Sequence, residues 1–298
     1  MMASKTKTMT GHTTASPIDR MRMARSWFSW HHLAYAMVAV SLLVAACGSA
    51  LLALDPLEQN LLSRNLAPTA AHWLGTDNFG RDVYARMIAG TRLTIVVAFL
   101  ATVLALAGGA ILGMIGCIVG GLLRTVIYAA FDIVRTMPPI LLSLALMVAL
   151  GVGTSSVILA VGIAYMPLFA YVARAVYERE MASGYVSAAR VIGAGPWAIA
   201  TRHVLPNITG AMLTQIAIVL PRAVTTESVL SFFGLGVSPE VPTWGRVIAS
   251  AVEFAEQTPT ALLFPVLALA MLTLSLAVVG DRLREHFDPL RPAVEARA

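Results

Sequence analysis

Charged and hydroxyl-bearing side chains inside otherwise apolar stretches are the residues of this chain with the most chemical potential. Glu227 follows Arg222 by five residues within the apolar run 210–232, and Thr225, Thr226 and Ser228 make the same turn polar. An ionised group in hydrocarbon costs about 3 kcal/mol or more, so such groups are kept where they meet protein or water. Two readings stay open: the stretch Arg222, Thr226, Glu227, Ser228 lines a polar pathway or gate, or Arg222 and Glu227 satisfy each other or a neighbouring helix. Asp132 and Arg135 lie three apart on one helical face, the spacing of an ion pair, and a structural brace is the favoured reading there. Ser228 has no histidine within helical reach and none lies in an apolar run, which removes the paired groups an intramembrane enzyme requires. His72, alone on a polar segment, reads as an ordinary surface side chain rather than a metal ligand. Cys47 and Cys117 sit in apolar runs without spacing partners, so neither a disulfide framework nor a zinc site is expected.

The elements that must hold these residues are membrane helices. Of 298 residues, 58% are apolar and 12% charged, and the mean hydropathy is +0.77, a balance foreign to soluble domains. A bilayer core of about 30 Å takes roughly 20 apolar residues per helix, and the sequence offers six such runs: 33–54, 93–119, 126–150, 157–177, 210–232 and 260–279. The expected class is an all-α integral membrane protein with six transmembrane helices, a polar, flexible tail over 1–32 that ends in a short juxtamembrane segment, and a short tail over 293–298. With the N-terminus inside, fourteen Lys and Arg fall on the cytoplasmic side and five on the other, so both termini are expected in the cytoplasm of a multi-pass inner-membrane protein. The net charge of +5 is spread between apolar runs rather than gathered on one face, which argues against nucleic acid as a partner. Residues 44–47 (VAAC) mimic a lipoprotein cleavage box, but the apolar run continues past Cys47 and the segment before it is long, so an uncleaved anchor helix is expected. Pro138 and Pro139 should kink or break the third run.

Between the fourth and fifth runs, residues 178–209 form the most informative segment, whose part 180–207 reads EMASGYVSAARVIGAGPWAIATRHVLPN. A helical stretch over 185–192 carries the small Ala188 and Ala189, Gly193 and Gly195 interrupt it, Pro196 suits the first turn of a second helix, and Pro206 is expected to mark that helix's exit. A helix pair this short is marginal in water and needs a docking partner.

Ser187, Ala188, Ala189, Gly193, Leu205 and Pro206 resemble the E-A-A-x-x-x-G…L-P loop of ABC importer permeases, with Ser187 at the position of the motif's Glu. Three further stretches are similar to the dipeptide, oligopeptide and nickel (DppC/OppC-like) branch of that family: 74–92 (LGTDNFGRDVYARMIAGTR), 231–245 (SFFGLGVSPEVPTWG) and 280–289 (GDRLREHFDP). The resemblance covers 33–292. It implies the type I importer (MetI-like) permease fold, a second homologous permease, two ABC ATPase subunits and an extracytoplasmic solute-binding protein as partners beside membrane lipid, and di- or oligopeptides as solute, with nickel or a metal chelate as the alternative. It implies that the loop couples to the ATPase through Ser187, Ala188, Ala189, Arg190, Gly193, Ala194, His203, Leu205 and Pro206, without the motif's charge at 187. The chain lacks a G-x-x-x-x-G-K-[ST] loop, so it is expected to bind no cofactor itself, with ATP and Mg used by the partner ATPases. The outer segments 55–92 and 233–259 are candidates for receiving the binding protein; Gly234, Gly236, Pro239 and Pro242 make the second a structured turn rather than a helix. An ion-coupled secondary transporter is the competing class, but the chain shows no repeat and the long elbow would have no purpose in it.

Overall fold

The computed structural model describes residues 17–52, 54–237 and 241–287. The expected tails over 1–16 and 293–298, Pro239 and the closing Asp288 and Pro289 of the fourth motif lie outside them. Helix α1 spans Pro17–Cys47, α2 Val83–Val119, α3 Gly121–Thr136, α4 Pro139–Leu150 and α5 Thr154–Met181. The short α6 (Gly184–Val191) and α7 (Pro196–Ile199) follow, then a π-helical turn Ala200–Val204, α8 (Leu205–Phe232), α9 (Trp244–Val252) and α10 (Pro259–Phe287). Five helices among the described residues are long and apolar enough to cross a membrane, and the bent pair α3–α4 makes a sixth when its two halves are taken as one span.

Three boundaries depart from the sequence expectation, and the break expected at Pro138 and Pro139 is found. Helix α1 begins at Pro17, inside the expected tail, because proline is suited to a first helical position and no breaker follows it before Gly48. Helix α2 begins at Val83, ahead of the apolar run, because Asp82 caps it by accepting from the Ala85 amide at 2.7 Å. The third run breaks by 99° at Met137–Pro138. Helix α4 has 12 residues, about 18 Å at 1.5 Å per residue, too short to cross alone, so α3 carries part of that crossing. The segment expected as a turn contains α9, which Thr243 starts by accepting from the Arg246 amide.

The centre of the bundle is α2 against α5, joined by α8. Small residues set the approach: an added Cβ at Gly109 would stand 2.3 Å from the Met166 carbonyl oxygen, and one at Gly113 2.9 Å from the Ala170 Cα. Helices in lipid associate through such backbone proximity because there is no hydrophobic drive between them. Val97, Ala98, Ala101, Ala105, Val157 and Phe169 fill the seam without solvent access. Gly109→Leu is expected to lower the stability of the purified chain by about 3 kcal/mol through overpacking, read as a drop in thermal midpoint in detergent; an unchanged midpoint would mean the α2–α5 contact is not this close.

Helix α10 packs on α8 in the same way. Pro221 has no amide hydrogen to give the Ala217 carbonyl one turn earlier, and Gly280 approaches that oxygen so closely that a Cβ would stand 2.8 Å from it. The glycine of the fourth motif is thus a packing requirement.

Candidate functional site

Two polar constructions lie at opposite ends of the bundle. The first is the elbow between α5 and α8. Helix α6 ends in a double hydrogen bond, with the Ala194 amide donating to the Ala189 carbonyl and the Gly193 amide to the Arg190 carbonyl, both at 3.0 Å. This Schellman closure needs a left-handed residue at its turn, supplied by Gly193 at φ +93°. The interval from Ala189 to Gly193 in A-A-x-x-x-G is therefore the interval of a helix stop. A Cβ at Gly193 would meet nothing within 4 Å, so the glycine is there for its φ and not for space. Gly193→Asn, which tolerates φ > 0, is expected to keep the thermal midpoint of the purified chain close to the parent's, while Gly193→Val costs about 1–2 kcal/mol of helix closure and lowers it; equal behaviour of the two variants would exclude the φ argument.

Glu180 fixes the elbow to the bundle. Its carboxylate, 7% exposed, accepts from the Tyr185 hydroxyl, from Asn207 Nδ2 at 3.2 Å and from Arg179 at 3.0 Å. That carboxylate holds the Tyr185 phenol above the usual tyrosine range. The His203 ring packs on Tyr185 with centroids 5.4 Å apart, and Val186 is fully buried beneath. Ser187, at the place of the motif's Glu, is exposed and donates back to the Ser183 carbonyl at 3.3 Å. Ala188 and Arg190 are also exposed, Ala189 and Ala194 half-buried, and Leu205 and Pro206 exposed. Sequence reasoning missed the apolar tip: Val191 and Ile192 are 89% and 87% exposed and Trp197 58%.

Pro206 does not end the second helix, contrary to expectation. The chain is helical without interruption from Pro196 to Phe232, because the π-turn Ala200–Val204, closed by the Leu205 amide on the Ala200 carbonyl, absorbs the ring and the missing donor. A single rod of 37 residues, about 55 Å long, thus runs from the elbow to the opposite end.

Near that rod's far end lie the polar residues of α8. Arg222 and Glu227 do not pair. Glu227 is fully buried and accepts from Ser231 Oγ at 2.7 Å and, weakly, from Ser228 Oγ at 3.4 Å. Thr226 is buried, donates to the Arg222 carbonyl and meets the Tyr165 hydroxyl, both at 2.9 Å, whereas the Arg222 side chain is exposed. Ser231 was not foreseen; its place one helical turn after Glu227 was the signal.

The described residues 233–237 and 241–245 fold back over α2 and α8. Trp244, 4% exposed, donates its indole N–H to the Met87 carbonyl at 3.1 Å, and its amide donates to Thr94 Oγ1 at 3.2 Å. Added carbons at Gly236 and Gly245 would stand 2.2 Å from Ser231 Oγ and 2.0 Å from the Ser228 carbonyl oxygen. Beside it, Asp77 takes two backbone amides, of Phe79 and Arg81, and two guanidiniums, of Arg81 at 2.8 Å and Arg86 at 2.7 Å. Gly80, at φ +72°, turns so closely under Asn60 that a Cβ would stand 1.8 Å from its carbonyl oxygen. His72 is half-buried and pairs with Asp82 at 2.9 Å, so it is part of this scaffold and not the surface residue expected.

Residues 105–291 match the family described as "Binding-protein-dependent transport system inner membrane component". The chain is 32% identical over 232 residues, covering 78% of it and 76% of the relative, to the dipeptide transport system permease protein DppC of Alkalihalophilus pseudofirmus. It is also 32% identical over 225 residues, 76% and 75% of the two chains, to the glutathione transport system permease protein GsiD of Pectobacterium atrosepticum. Its fold is similar to a chain of the MetNI methionine ABC transporter solved in inward-facing conformations, with a TM-score of 0.56 at 19% identity over 69% of this chain and 96% of that one.

Proposed function

This chain belongs to the family of binding-protein-dependent transport system inner membrane components, and we propose that it is a peptide-translocating permease subunit whose elbow docks on a separate ATPase. The family's chains are transport components rather than enzymes. The observation that carries the docking reading is the apolar tip of Val191, Ile192 and Trp197, held outward from the bundle by the Glu180 network. Exposed apolar side chains on a braced support are suited to burial in another protein's groove.

The mechanism is mechanical. ATP binding closes the partner ATPases, the elbow follows, and the motion passes along the continuous helical segment from Pro196 to Phe232. Arg222, Thr226 and Glu227 ride on that rod, so displacement of the elbow shifts the polar turn of α8 against Tyr165 of α5. Arg222 offers a partner to a solute that has shed water; Glu227, Ser228 and Ser231 tie the turn of the gate together through their side chains. On this reading the elbow faces the cytoplasm, the loops 55–92 and 233–259 receive the binding protein, and a second permease completes the pathway. The names of the two relatives favour a short peptide over nickel as solute.

Reconstitution tests this. Proteoliposomes holding this chain with its partner permease and ATPases, supplied with the binding protein and ATP, are expected to accumulate labelled dialanine. Accumulation driven by an ion gradient without ATPases would assign the chain to secondary transport instead.

A further inference from the structure

A second set of polar groups lies away from the α8 turn. Asp132 and Arg135 of α3, expected to brace each other, instead converge on Tyr171 of α5: the tyrosine hydroxyl donates to Asp132, and the Arg135 guanidinium lies over the ring, 4.4 Å from its centroid. Both charged side chains are exposed. Tyr171 lies ten residues before the elbow end of α5, about 15 Å along it, so these charges lie inside the apolar runs 126–150 and 157–177 rather than past their ends.

Directly after them the helix breaks. Pro138 and Pro139 carry no amide hydrogen, so the carbonyls of Val134 and Arg135 find no donor one turn on, and α4 leaves at 99°. Free carbonyls and exposed charges at membrane depth are tolerated only against protein or a water-filled cavity. Two independent features, the charges and the broken backbone, thus turn this face toward water or a second protein surface rather than lipid.

The chemistry of the face is specific. An acid and a base one helical turn apart, about 5–6 Å between Cβ atoms, share one aromatic residue. The terminal ammonium and carboxylate of an extended dipeptide are about 7 Å apart. We infer that Asp132, Arg135 and Tyr171 form a station on the translocation pathway for a short zwitterionic solute, with Asp132 accepting from its ammonium and Arg135 donating to its carboxylate. The assignment rests on the peptide-permease reading and adds which residues of this chain touch the solute.

The test uses the complete transporter in proteoliposomes with Cys47 and Cys117 replaced by serine. Asp132→Asn and Arg135→Gln are each expected to lower the maximal dialanine uptake at least tenfold at an unchanged half-saturating concentration of binding protein. Asp132→Glu and Arg135→Lys should recover at least half of it. Thr136→Cys, on the exposed face beside Arg135, should react with a charged, water-soluble methanethiosulfonate, and dialanine with ATP should slow that reaction. Neutral variants that transport like the parent, or a Thr136→Cys that does not react, would overturn the station while leaving the permease reading intact. A parent transporter that accumulates no dialanine would overturn the peptide reading and this assignment with it.

Discussion

Replacing Ile192 with aspartate is expected to bring solute-stimulated ATP hydrolysis of the assembled transporter down to its basal level, with the chain still inserted and folded. Ile192 is 87% exposed and terminates α6 just before Gly193, so the subunit itself has little use for its side chain. Full burial of such a side chain against a partner is worth about 1.5–3 kcal/mol, and a carboxylate placed unpaired in that contact costs about 2–5 kcal/mol more. A combined loss of about 5 kcal/mol corresponds to docking weakened more than a thousandfold. The assay is ATP turnover with saturating binding protein and dialanine, beside size-exclusion analysis of the solubilised chain. Ile192→Val should behave as the parent. Full stimulation of the aspartate variant would place the ATPase contact elsewhere.

Asp77→Ala is expected to cost about 3–5 kcal/mol of stability, the range for removing one partner of a buried pair. Arg86 is 2% exposed, and its partner Asp77 also organises the turn 77–81 through two backbone amides. Deleting the carboxylate leaves a guanidinium without its counter-charge and a glycine turn without its tie. The measurement is the thermal midpoint of the purified chain, and the double variant Asp77→Asn with Arg86→Gln should recover part of the loss because it leaves no buried charge. Additive losses in that cycle would show that the two residues do not act as a pair.

Much of the helical content was legible because apolar runs of membrane length follow directly from the cost of exposing backbone to lipid. Polar helix ends were not: α2 starts at a capped Asp82 rather than where apolarity begins, and α1 reaches back to Pro17. Pro206 misled for a related reason, since local proline chemistry predicts an end, whereas a π-turn accommodates the ring and keeps the rod intact. The elbow's motif was readable, but its tip was not, because hydrophobic Val191 and Ile192 look like core residues until the chain is seen to leave them bare. Charge pairing was the least legible. Arg222 and Glu227 share one apolar run and Asp132 and Arg135 have the spacing of an ion pair, yet Glu227 turns to Ser231 one helical turn on, and Asp132 and Arg135 meet a tyrosine from another helix. Spacing along one helix says nothing about what a neighbouring helix offers.

The most direct test of the elbow as a docking handle is site-specific photo-crosslinking in the assembled transporter. A photoreactive residue at 192 or at 197 should crosslink to a nucleotide-hydrolysing subunit, whereas the same probe at Leu62, 97% exposed in the loop at the opposite end, should not. Crosslinks from both elbow positions to lipid alone, in a complex that hydrolyses ATP in response to solute, would contradict the account.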